Sequence, residues 1–347
     1  MKFGLIGIGA IGSVRASALR RTKGCELVVV HDLDAVRARA LAPQAEFHAT
    51  VASLFASTEC EAVSISTPPQ FHEQLAVEAL RNGKHVLVEK PMAPTVDACR
   101  RMIEAAAAAG RILTIGFNHR YFAAMRLVRD VVQSDELGRL SHVRGYAGHT
   151  GLSEFKAAWM YDGRIMGGGT LMDNGIHLID LMRYVMGDFV EVYGHALNRV
   201  WKLNTAEDNA LALFRSSEGV VGSLHSSWSE WKGYRFYVEA YGERGMARAY
   251  YAPMMATVIH LDKPGGVRKT ERHFYLSNIV REKFRGWQST VIETFIEEFN
   301  DFAKLAQGQS GSGRIATAVD GLRSIQVAHA IYMSERDHRP VMLDRLD

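Results

Sequence analysis

Three residues have types and spacing that suit proton transfer and the steadying of negative charge: Lys90, Asp173 and His177. Lys90 follows the apolar run Val86–Val88 in the order Glu89-Lys90-Pro91. A lysine at the carboxyl end of a strand in a parallel sheet points into the crevice where such folds bind ligands. The proline after it fixes the turn and can do so through a cis bond. The same residues also read as a surface lysine in an ordinary turn. In Gly167-Gly168-Gly169-Thr170-Leu171-Met172-Asp173-Asn174-Gly175-Ile176-His177-Leu178-Ile179-Asp180, a helix puts Asp173 and His177 four apart on one face, joined by Asp180. Leu171, Leu178, Leu181 and Met182 form the opposite, apolar face. A carboxylate beside an imidazole can orient it for acid–base work near neutrality. The plainer alternative is a capping aspartate and a histidine bonded inside a domain interface.

A second pattern concerns phosphate. Gly7-Ile8-Gly9-Ala10-Ile11-Gly12 follows an apolar run and opens a helical stretch, the context that gives G-x-G-x-x-G its meaning. Gly7 permits the tight turn, Gly9 lets backbone approach a pyrophosphate, and Gly12 lets helix pack on strand. The helix start offers N–H groups and a partial positive charge. Asp32 ends the next apolar run, about 20 residues on, where a carboxylate meets a ribose 2′-hydroxyl. That carboxylate would repel a 2′-phosphate, which favours NAD over NADP, although Arg37 and Arg39 leave NADP open. No metal site is expected: no HExxH occurs, and Cys25, Cys60 and Cys99 are widely spaced.

These residues need elements to carry them. The chain has 347 residues, 47% hydrophobic and 23% charged, with net charge +3. That is ordinary globular usage, which excludes disorder, collagen and a small disulfide scaffold. No basic stripe suggests a nucleic-acid partner. No apolar run reaches the roughly 18–20 residues of a membrane span, and no secretory leader is visible. A cytoplasmic protein with free thiols is expected. Apolar runs at Phe3–Ile8, Leu27–Val30, Ala62–Ile65, Val86–Val88 and Ile112–Ile115 alternate with helical stretches Ala10–Arg21, Asp34–Ala42, Phe71–Arg81 and Thr95–Ala109. Unbroken Val/Ile/Leu runs suit strands covered on both faces of a parallel, doubly wound sheet. Beyond about residue 121, strand-like segments separated by glycine turns suggest a largely antiparallel sheet. Helices are expected at Ala123–Gln133, Leu171–Met186, Val291–Leu305 and Ala316–Glu335, and the charged stretch Lys263–His273 reads as a solvated loop or strand edge. The expected domains are 1–120 and 121–347.

In series, Gly7–Gly12, Asp32, Ser66-Thr67-Pro68-Pro69 with Phe71-His72, Gly83 through Pro91, Gly116-Phe117-Asn118-His119-Arg120-Tyr121, the Gly167–Asp180 block and the late Gly321–Tyr332 segment cover nearly the whole chain. In that order they resemble the glucose–fructose oxidoreductase / inositol dehydrogenase (Gfo/Idh/MocA) family. The resemblance implies an N-terminal Rossmann domain and a C-terminal α+β domain whose open sheet makes a homodimer or homotetramer. It implies NAD, with NADP not excluded, and a sugar or cyclitol substrate. Lys90, Asp173 and His177 would then flank the reacting carbon. Gly7, Gly9, Ala10, Ile11, Gly12, Asp32, Ser66, Thr67, Pro68, His72, Glu89, Lys90 and Asn118 would meet the cofactor. Lys90, Arg120, His149, Trp159, Asp173, His177 and Tyr234 would meet the substrate. The implied activity is hydride transfer between a nicotinamide and a hydroxyl-bearing carbon. Alternatives are a glycoside hydrolase using NAD for transient oxidation and a non-enzymatic NAD sensor. The segment Ser153–Met166 departs from some family members ahead of the glycines.

Overall fold

The computed structural model describes residues 1–153 and 157–344, so part of the Ser153–Met166 segment lies outside the described residues. The chain forms two compact units. The first joins Met1–Tyr121 to Arg281–Leu322, and the second joins Phe122–Val280 to Arg323–Asp347. The expected simple division at residue 120 therefore needs correction: a late stretch returns to the first unit.

In the first unit, β1 (Lys2–Ile6), β2 (Glu26–His31), β3 (Glu46–Phe47), β4 (Ala62–Ile65), β5 (His85–Glu89) and β6 (Leu113–Gly116) lie parallel. The sheet order is β15-β6-β5-β4-β1-β2-β3, with β15 (Ala316–Thr317) antiparallel to β6. The helices between strands are α1 (Ala10–Leu19), α2 (Ala35–Leu41), α3 (Val51–Ala56), α4 (His72–Arg81) and α5 (Val96–Ala109). Side chains mark where helices begin: Asp34, Thr50 and Thr95 accept the N–H groups of Arg37, Ser53 and Ala98. The return of the late stretch has a packing cause. Helix α10 (Gln288–Ala306) lays Phe299 and Phe302 against Phe3 of β1, ring centroids 5.2 and 5.6 Å away.

The second unit holds β7 (Leu140–Gly148), β8 (Phe189–Leu197), β9 (Asn209–Ser216), β10 (Val221–Ser227), β11 (Arg235–Gly242), β12 (Gly245–Tyr251), β13 (Met255–Leu261), β14 (Arg268–Phe274) and β16 (Val341–Met342), ordered β14-β13-β12-β11-β7-β10-β9-β8-β16. Every pair is antiparallel except β7 with β10. The stretch Lys263–His273 resolves into a loop and the edge strand β14, and its charges suit an edge. Helices α6 (Ala123–Gln133), α7 (Gly163–Met166) and α8 (Ile176–Met186) belong to this unit. Helices α9 (Leu276–Arg285) and α11 (Ala318–Asp337) run from one unit into the other. Along β9, alternate residues are buried, which leaves Leu211, Leu213 and Arg215 facing outward. No helix among the described residues is long and apolar enough to cross a membrane.

Candidate functional site

The first unit builds its ligand surface at the carboxyl ends of its strands. Gly7 has φ +86°, and a side chain there would press on the Ser66 backbone at 2.8 Å. A Cβ at Gly12 would stand 2.0 Å from the Gly7 carbonyl oxygen, whereas one at Gly9 would meet nothing. The three glycines thus serve turn, packing and open approach. Gly9 precedes α1 with no side-chain cap, and no acid sits in the first turn, so the helix start can receive an anion. Asp32 joins the loop to β2: its Oδ2 accepts the Ile8 N–H at 2.6 Å, and its Oδ1 accepts the Asp34 N–H at 2.8 Å and Arg37 at 2.7 Å. Burial works to raise this carboxyl's pKa, but the two N–H donors and Arg37 outweigh it and hold the group below its usual value. Ser66 Oγ and Thr67 Oγ1 are buried without a hydrogen-bond partner among the described residues. An uncapped helix start, an anchored carboxylate and two unsatisfied hydroxyls fit a dinucleotide.

Lys90 follows β5, half-buried, and the Lys90–Pro91 peptide is cis. Glu89 turns back so that its Oε2 accepts the Lys90 N–H at 3.2 Å. His72, expected near the cofactor, lies between the turns after β4 and β5. It is wholly buried, with Nδ1 at 3.0 Å from the Pro91 carbonyl oxygen and Nε2 at 2.8 Å from that of Thr67. Both ring nitrogens serve the main chain, so it braces the turns after β4 and β5. Asn118 donates from its amide to Thr294 of α10 at 3.0 Å. Arg120, expected to meet the substrate, is buried and paired with Asp320 at 3.3 Å.

In the second unit, the helical segment that carries Asp173 and His177 meets the ends of two strands. Residues 171–175 form one π-helical turn ahead of α8, a widened turn often found at functional sites. Asp173 lies in that turn and His177 lies in α8; both are buried. The parallel pair β7 and β10 sets Gly148 opposite Ser227, so His149 and Trp228 leave the sheet side by side. Both reach Asp173 Oδ2 at 3.1 Å, His149 through Nε2 and Trp228 through Nε1. The Gly151 N–H points at His149 Nδ1 from 2.9 Å, which makes Nδ1 an acceptor and places the ring proton on Nε2, toward Asp173. Tyr161 packs edge-on against Trp228, centroids 5.7 Å apart. Tyr234 packs edge-on against Tyr251, and Trp159 is half-exposed.

The start of this helical segment is capped from a distance. Thr170 contributes no side-chain cap. Instead the buried Glu207 carboxylate accepts the N–H of Gly169 at 2.7 Å, the N–H of Leu171 at 2.8 Å and the Tyr332 hydroxyl at 3.1 Å. A Cβ at Gly168 would lie 1.9 Å from the Tyr332 oxygen, and one at Gly169 would lie 2.0 Å from the Glu207 carbonyl oxygen. These two glycines are therefore required by close approach. Trp228, Glu207 and Tyr332 were not marked out from sequence, since each acts through a pairing that no local pattern encodes.

The glycine loop and anchored acid of the first unit are those of an NAD-binding Rossmann unit, and the comparisons with known proteins make the chain an oxidoreductase. Residues 1–117 match the model of the oxidoreductase family with NAD-binding Rossmann fold, and residues 125–248 match that of the GFO/IDH/MocA C-terminal domain. The chain belongs to the Gfo/Idh/MocA family of oxidoreductases. It is 29% identical to an inositol 2-dehydrogenase of Rubrobacter xylanophilus, over 99% of this chain and 93% of that protein. It is 29% identical to a 1,5-anhydro-D-fructose reductase of Ensifer adhaerens, over 66% of this chain and 69% of that protein. Among solved structures, an oxidoreductase domain protein from Kribbella flavida shares the fold with TM-score 0.87 at 24% identity, covering 99% of both chains.

Proposed function

We propose that the protein oxidises a ring hydroxyl of a cyclitol or sugar, or reduces the matching ketone, with NAD as partner. The observation that carries this reading is the buried Asp173 carboxylate, fixed by two N–H donors one turn ahead of His177. The names of the two relatives, inositol 2-dehydrogenase and 1,5-anhydro-D-fructose reductase, point to polyol rings. Gly7, Gly9, Ala10, Ile11, Gly12, Asp32, Ser66 and Thr67 would hold the dinucleotide. Bound NAD supplies a hydride acceptor at C4 of its nicotinamide ring. His177 takes the proton of the reacting hydroxyl, and Lys90 hydrogen-bonds the same oxygen and stabilises its developing charge. Asp173 orients the His177 ring or accepts from a neighbouring substrate hydroxyl.

The test is absorbance at 340 nm with the purified chain, NAD or NADP, and a panel of myo-inositol, other cyclitols, aldoses and 1,5-anhydro sugars. NADH formation with at least one polyol is expected, and a slower rate with NADP, because the Asp32 carboxylate meets the 2′ position. Cleavage of nitrophenyl glycosides without NADH accumulation would overturn the reading, as would inertness toward the whole panel.

We also propose a homodimer or homotetramer built on the outward sheet face. Leu213 is 54% exposed, and Leu211 and Val221 are exposed on the adjoining strands β9 and β10, a grouping that favours burial against a like face. Light scattering should give a dimeric or tetrameric mass for the parent and a monomeric mass for Leu213→Glu. A cytoplasmic site suits the three unpaired cysteines, and cell fractionation tests it.

A further inference from the structure

Arg15 has no place in the dinucleotide fingerprint, yet it is among the largest fully buried side chains, 0% exposed. Its guanidinium lies between two carboxylates from distant parts of the first unit. Nε meets Glu89 Oε1 at the end of β5, and Nη1 is 2.9 Å from Glu298 Oε2 on α10. The Phe295 ring lies beneath, 4.1 Å from the guanidinium carbon. Burial opposes the charge, but the two acids hold the guanidinium's pKa above its ordinary value. Glu298 is pushed up, first by burial. One cation thus faces two acids in a buried site, a costly arrangement for stability, since apolar residues of similar volume often serve as well.

What this arrangement touches gives it a use. Glu89 accepts from Arg15 through Oε1 and from the Lys90 N–H through Oε2. From the other side, His72 meets the Pro91 carbonyl oxygen at 3.0 Å. The turn that carries Lys90 is therefore gripped on both flanks by buried side chains. Other residues of α10 work at the same strand ends, with Thr294 on Asn118 and Asp301 on Tyr121 at 2.9 Å. Thr294, Glu298 and Asp301 are spaced four and three apart, one face of the helix.

We propose that Arg15 is a positioning residue: held by Glu298, it fixes the Glu89 carboxylate and through it the backbone from which the Lys90 ammonium projects. The kinetic half of this proposal rests on the reading that Lys90 serves the oxidation; the geometric half does not. The full-length chain is therefore tested by two readouts. Reductive methylation with ¹³C-formaldehyde gives each lysine a dimethylammonium NMR signal, and Lys90→Arg identifies that of Lys90. Steady-state rates with NAD and the best polyol of the panel give kcat and KM.

In Arg15→Met the Lys90 signal should move to the position of free dimethyl-lysine. Its kcat should fall by about 10–100-fold, the cost of a displacement near an ångström, with KM and NADH affinity within about threefold. Arg15→Lys keeps a cation but not the fork that reaches two acids, and should recover part of both. Glu298→Gln removes one of the two acids that hold Arg15, so besides lowering Tm it should move the Lys90 signal and lower kcat in the same direction as Arg15→Met, by a smaller amount. Should Arg15→Met not fold, Arg15→Lys and Glu298→Gln still decide the matter. An unmoved Lys90 signal and unchanged kcat in Arg15→Lys, with only Tm lowered, would overturn the proposal. A moved signal with unchanged kcat would uphold the positioning and instead sink the role given to Lys90.

Discussion

Replacing Lys90 with Met is expected to lower turnover by about 10²–10⁴-fold, and His177→Ala by a similar factor, while both variants still bind NADH. Methionine keeps the length of the lysine stem and removes only the ammonium, from a half-buried position, so the fold should tolerate it. Most of the groups that fit the dinucleotide lie elsewhere in the first unit: the glycine loop before α1, and Asp32 anchored to the Ile8 and Asp34 N–H groups. Neither is touched by the change. Quenching of tryptophan fluorescence by NADH measures affinity apart from chemistry. The double variant is the sharper test. If ammonium and imidazole act in one step, losing both should cost little more than the worse single loss, because groups that act as a unit are not additive. Losses that multiply would show independent roles, and near-parental turnover in either single variant would refute its assignment.

How far such residues can be read from sequence depends on the range of the contacts that define them. The parallel strands of the first unit are legible because burial on both faces leaves unbroken apolar runs, such as Ala62–Ile65 and Val86–Val88. The helix starts are legible because Asp34 and Thr95 are good caps. The membership of α10 is not. Phe295, Phe299 and Phe302 announce a buried face, but only the fold says that Phe3 covers it. The same limit applies to the site. The spacing of Asp173 and His177 is visible along the chain, whereas the π-turn between them is not. The partners of Asp173 come from the register of β7 on β10, a parallel pairing in an otherwise antiparallel sheet. His149 is singled out by the family resemblance as a substrate contact, but nothing along the chain singles out Trp228. Arg15 sits among small and apolar residues of its helix, an anomaly that flags a buried charge without naming its partner, whereas Glu298, next to Glu297 and near Asn300 and Asp301, carries no such flag. His72 was expected at the cofactor from the family resemblance; that both its ring nitrogens meet main-chain carbonyls is visible only in the fold.

The second large effect is expected at Glu207, a residue with no motif around it. Glu207→Ala removes the acceptor of the Gly169 and Leu171 N–H groups and of the Tyr332 hydroxyl, all in a buried setting. Each donor left unsatisfied costs about 1–3 kcal/mol, so a total loss of about 3–5 kcal/mol is expected, allowing some donors to find water. Chemical denaturation of parent and variant measures it. Activity should fall further than the folded fraction does, because the freed segment carries Asp173 and His177; loss in strict proportion would show a stabilising role alone. Glu207→Gln keeps the volume and separates the effect of charge. Burial raises the Glu207 pKa above its ordinary 4.5, against the donors that lower it. A carboxyl whose folded pKa is raised contributes fully below its unfolded value and loses that contribution as pH rises through the folded one. The parent should therefore exceed Glu207→Gln in Tm most below about pH 4.5, with the gap narrowing as pH climbs toward neutrality. A gap that widens over that range would mean that the three donors stabilise the carboxylate more than burial penalises it.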